Sequence, residues 1–126
     1  MYITNVKKTK EEKTRSGVSV WWLLSEEIGV PNFEMRYFEF KKGMHTTYGK
    51  HPWEHEVFVV KGEGVIKGKN FEQKIKSGDA IYIAPNEEHQ FLNNNDEPFG
   101  LICIIPKGAE KRKISSLESV SKLHPE

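Results

Sequence analysis

Five histidines, at positions 45, 51, 55, 89 and 124, are the side chains best suited to chemistry in this chain. His51 and His55 frame His51-Pro52-Trp53-Glu54-His55, directly before the apolar run Val57-Phe58-Val59-Val60. His89 follows another apolar run and a turn, in Ala84-Pro85-Asn86-Glu87-Glu88-His89. A neutral imidazole offers a lone pair without a charge penalty, which makes it the commonest protein metal ligand. Three imidazoles on rigid strands, aimed at one point, would make an open metal site with room for water or substrate. Spacing alone leaves a plainer alternative open, in which each is an ordinary hydrogen-bonded histidine. His45, just after Gly43, reads as a solvated strand-end residue, and His124, in the polar tail, as a surface residue.

Other side chains are weaker candidates. Tyr48 and Trp53 flank the histidines and could line the mouth of a pocket, although an aromatic beside a ligand is more often packing. Arg36 could face the interior and hold a carboxylate, or sit in a surface ion pair. Cys103 alternates with Phe99, Leu101 and Ile105, so a small buried apolar role is its default, with no nearby cationic residue expected to depress its pKa. Glu54 and Glu56 flank His55 and are expected to point away from the centre. There is no Ser–His–Asp arrangement, phosphate loop or dinucleotide fingerprint.

The elements that must position these residues read as β. The runs are Val18–Leu24, Phe33–Phe40, Val57–Val60, Val65–Ile66, Phe71–Ile75, Ala80–Ile83 and Phe99–Ile105, bounded by Gly and Pro. Short strands at close spacing with this punctuation predict an all-β sandwich or barrel. Lys61-Gly62-Glu63-Gly64 and Gly68-Lys69-Asn70 supply hairpin turns, and Lys76-Ser77-Gly78-Asp79 a third. The expected organisation is one domain: a charged N-terminal arm over 1–17, a β-barrel over 18–106 and a polar tail over 107–126. Residues 7–15 carry mixed charge with no apolar face, so they read as solvated. Ile114, Leu117 and Val120 in the tail could form a short amphipathic helical turn.

Composition bounds the function. The chain has 126 residues, 37% hydrophobic, with 19 basic against 18 acidic side chains. That is enough apolar content for a core of its own. A net charge of +1 argues against nucleic-acid or membrane-surface binding driven by a basic field. One cysteine allows no intrachain disulfide, and a reducing, cytoplasmic location is the default. The start has no signal-peptide pattern, and no apolar run is long enough to span a bilayer.

Two stretches resemble the paired motifs of the cupin family. In the first, Gly43 is followed by five residues, then Gly49, Lys50, His51, three residues, His55, six residues and Gly62. In the second, Gly78 is followed by five residues, Ala84-Pro85-Asn86, two residues, His89, three residues and Asn93. The first is most similar to a small single-domain branch containing His-Pro-Trp-Glu-His, in which four histidines hold a metal. That resemblance implies His51, His55 and His89 as ligands, while Gly49 stands where the fourth histidine would be. His45 lies four residues away, about 13 Å along an extended chain, and cannot fill the gap. Ala84 and Asn86 replace the motif proline and glycine; Pro85 follows Ala84, and Asn tolerates a left-handed backbone best among non-glycine residues.

The resemblance implies a cupin-type antiparallel β-barrel, a double-stranded jelly roll, around a divalent Mn, Fe, Ni, Zn or Cu ion. The implied function is a metal-dependent oxygenase or isomerase of a small organic acid or enol-type molecule. Its rivals are a non-catalytic small-ligand-binding cupin with a weakened site, which Gly49 favours, and a structural role. Trp21 and Trp22 must lie on opposite faces of a strand. Small cupins commonly dimerise through their N-terminal strands, so a homodimer is expected.

Overall fold

The computed structural model describes residues 1–110. The strands are β1 (Glu11–Lys13), β2 (Ser19–Leu24), β3 (Phe33–Phe40), β4 (His55–Lys61), β5 (Glu63–Gly68), β6 (Phe71–Lys76), β7 (Ala80–Ile83), β8 (Gln90–Leu92) and β9 (Phe99–Pro106). They form a six-stranded sheet in the order β1-β2-β3-β9-β4-β7 and a three-stranded sheet in the order β6-β5-β8. Every pairing is antiparallel. This is the all-β jelly roll expected from the sequence.

Alternation decides what each strand sends inward. Trp22, Phe38, Phe40, Val57, Val59, Phe99, Leu101, Cys103 and Ile105 come from the larger sheet. Ile66, Ile75 and Phe91 meet them from the smaller one. Each large apolar side chain buried this way contributes roughly 1.5–3 kcal/mol. The same inward faces carry polar side chains: Glu34 and Arg36 on β3, and His55 on β4, are each at most 1% exposed. Glu34 is satisfied by backbone, accepting from Glu26 N, at the start of a short 3-10 helix, at 2.8 Å and from Gly108 N at 3.2 Å.

Three expectations change. The charged arm supplies β1, which pairs with β2 and buries Glu12. A three-residue edge strand needs one inward residue and no apolar face, so its charge pattern conceals it. Glu110, expected in the solvated tail, is 6% exposed and folds back into the interior. A short strand, β8, precedes Asn93 where no apolar run marked one. The tryptophans behave as expected: Trp22 is core, and Trp21 lies on the other face, against Tyr37. The helical turn read over Ile114, Leu117 and Val120 falls outside the described residues, as does His124. Among the described residues, no helix is long and apolar enough to cross a membrane.

Candidate metal centre

His55 starts β4 and points inward with Val57 and Val59. His51 lies in the preceding loop and His89 just before β8. Backbone hydrogen bonds stitch the last two together. Gly49 N donates to His89 O at 3.2 Å, His89 N to Gly49 O at 2.9 Å, and Asn86 N to His51 O at 2.7 Å. Asn86 takes the left-handed conformation expected of it, φ 64°. The motif Asn93 is a structural tie. Its fully buried amide donates to Phe40 O and Glu97 O, both at 2.9 Å.

The three rings converge. Their centroids are 4.6, 5.0 and 5.2 Å apart, and their planes stand at 78–81° to one another. One nitrogen from each lies within 4.8 Å of the others, so His51, His55 and His89 could hold a metal ion. His51 Nε2 and His55 Nε2 are 2.8 Å apart, a separation suited to two donors sharing one cation or one proton. The outward nitrogens are pinned: His51 Nδ1 lies 2.8 Å from Trp53 O, and His89 Nδ1 lies 2.7 Å from Glu87 O. A carbonyl only accepts, so both Nδ1 atoms carry the proton and both Nε2 atoms keep the lone pair a metal needs. The donor chemistry therefore fits a divalent transition metal.

The remaining candidates separate. Trp53 stacks on His51 at 4.2 Å and 8° between planes, fixing that ring. Tyr48 is 43% exposed and donates to Glu88 at 2.8 Å, outside the cluster. His45 is exposed, its Nδ1 turned to Thr46 O at 3.0 Å. Glu54 and Glu56 line an outer groove with Phe33 and Ile104. Loss of solvent around the Glu56 carboxyl, then the hydrogen bond and charge of Glu54, pushes it up to about 7.

Arg36 is wholly buried rather than in a surface pair, and the carboxylate it holds belongs to Glu110, at 3.1 Å. Its guanidinium also covers the Phe38 and Trp22 rings, at 4.8 and 5.2 Å. Cys103 is buried in the core as expected, but a cation does lie beside it: Arg36 Nη2 is 3.4 Å and His55 Nδ1 3.0 Å from its sulfur. Register is the reason, because β3 and β9 pair Arg36 with Cys103 across 67 residues of sequence. Glu110 was not anticipated. An arginine in phase with inward Phe38 and Phe40 was the available signal that a buried anion must exist.

A cleft of about 340 Å³ between β5–β6 and β7 reaches His89, past Ile66, Phe71, Gln73 and Tyr82. Behind His55, a void of about 10 Å³ among Phe38, Phe40, Phe91 and Leu101 has room for about one water. At Gly49 an added Cβ would meet nothing within 4 Å.

The cupin domain family matches residues 36–105, which includes all three histidines and Arg36. The 1-methylthio-D-xylulose 5-phosphate methylsulfurylase of Rhodospirillum rubrum is 30% identical over 81 residues, 64% of this chain and 52% of that protein. The chain spans about half the length of the curated relatives it matches. A cupin 2 domain-containing protein from Halorhodospira halophila is 29% identical, with a TM-score of 0.70 over 83% of this chain and 75% of that one. The polyketide cyclase RemF from Streptomyces resistomycificus shares the fold, with a TM-score of 0.80 over 92% of this chain and 88% of its own, at 20% identity. Fold, paired motifs and the matched residues agree: the chain belongs to the cupin family.

Proposed function

We propose that this chain is a metal-dependent enzyme of oxygenase or isomerase type, acting on a small organic acid or enol-type molecule. His51, His55 and His89 are the ligands, each through Nε2. The observation that carries this reading is their convergence, with the Nδ1 atoms of His51 and His89 turned to backbone carbonyls. A divalent ion there would act as a Lewis acid toward a carbonyl or as a centre for oxygen chemistry. No carboxylate belongs to the set, so the site stays cationic and favours an anionic ligand. The Rhodospirillum rubrum relative is named for a 5-phosphate substrate, itself an anion, which supports a small charged ligand. The protein is taken to be cytoplasmic. It is taken to be a homodimer, because Trp21, Tyr37, Ile102 and Phe58 make an apolar row across the outer face of the larger sheet.

The test is calorimetric titration of the metal-loaded protein with small carboxylates and enols and with neutral isosteres. Tighter binding of the anions, followed by turnover of one, supports the reading; equal affinities for anions and neutral analogues contradict it. Gly49 favours a second reading, a non-catalytic ligand-binding cupin. That reading predicts saturable binding without turnover, and metal affinity only at millimolar levels.

A further inference from the structure

We propose that Cys103 is the positioning residue for His55, its sulfur accepting the Nδ1–H bond that orients the ring toward the metal. The inference rests on the reading of His55 as a ligand through Nε2. A neutral imidazole carries one N–H, so coordination at Nε2 leaves the proton on Nδ1, where it needs an acceptor. For His51 and His89 that acceptor is a backbone carbonyl, at 2.8 and 2.7 Å. For His55 it is a side chain: Cys103 Sγ lies 3.0 Å from Nδ1. The sulfur sits on the edge of the ring opposite Nε2, outside the converging donors, so it orients a ligand and is not one itself.

What holds the sulfur is unusual for a core cysteine. Arg36 Nη2 is 3.4 Å away and can only donate, so the sulfur faces two N–H groups as an acceptor. The guanidinium is kept in place by Glu110 Oε1 at 3.1 Å and by the Trp22 and Phe38 rings. The charged strut Glu110–Arg36 thus ends on the sulfur behind one ligand. It links a segment after β9 to the metal site through three side-chain contacts. A carbonyl is fixed by its own backbone; a thiol needs this support to stay in line with the ring.

The test is a substitution series read by metal affinity. Cobalt(II) affinity is measured by chelator competition, with the visible ligand-field spectrum of the bound ion and the melting temperature of the metal-free protein alongside. Cys103→Val keeps the shape and burial but removes the acceptor, and should weaken binding about 10–100-fold and shift the spectrum. Cys103→Ser keeps an acceptor and should stay close to wild type, even if its metal-free form melts lower. Valine binding like wild type, or serine failing as badly as valine, would overturn the role while leaving the three-histidine site intact. No binding by the wild type would overturn both the role and the reading beneath it.

Discussion

Placing histidine at position 49 tests whether the centre lacks only a ligand. Gly49 has an ordinary φ and open space where a Cβ would stand. It exchanges both backbone hydrogen bonds with His89, so the two residues sit directly opposite each other. Side chains of such a pair project to the same face. Gly49→His therefore sets a fourth imidazole on the same face as His89, from a Cβ that meets nothing within 4 Å. The magnitude follows from two terms. Structural zinc sites with four ligands bind with about 10–16 kcal/mol, or about 2.5–4 kcal/mol per ligand on average. Ordering one side chain costs about 1 kcal/mol. The net, about 1.5–3 kcal/mol, corresponds to roughly 10–150-fold tighter binding. The metal-free variant should fold at least as well as wild type, because a glycine is removed from extended backbone. Chelator competition with cobalt(II) or zinc, paired with metal-free melting curves, measures both. Unchanged affinity in a stably folded variant would refute the inferred placement of the missing ligand.

Two further predictions concern the scaffold. A Cβ at Gly64 would lie 2.4 Å from the Phe99 ring, which is fully buried. Gly64→Ala should cost about 1–3 kcal/mol by overpacking, a drop of several degrees in Tm that calorimetry would reveal, and an unchanged Tm would count against this packing. The Glu56 carboxyl, pushed up to about 7, lies above its unfolded value near 4.3, so the folded chain holds an extra proton between them. Stability must fall as pH rises through that window. Glu56→Gln should melt above wild type at pH 8, with the gap closing towards pH 4; a gap independent of pH would contradict the shift.

How much was legible in the sequence depended on the range of each interaction. The two glycine-to-histidine stretches carry their own turns, so the placements of His51, His55 and His89 could be read locally. The apolar strands β3, β7 and β9 announced themselves by β-rich runs between Gly and Pro. β1 did not, because its buried member is Glu12 between two exposed charges. The strut of Glu110, Arg36 and Cys103 did not either, since its contacts span 74 and 67 residues and exist only once β3 and β9 are in register. Tyr48 shows the converse: nearness in sequence to His51 suggested a pocket wall, but its hydroxyl is turned to Glu88.

The central claim is that three imidazoles bind one divalent ion. It is tested most directly by metal stoichiometry after loading and exhaustive dialysis, for wild type and His89→Ala side by side. The account predicts a single ion per chain in the wild type and loss of that ion in a variant that still folds. Equal occupancy in both proteins would contradict it.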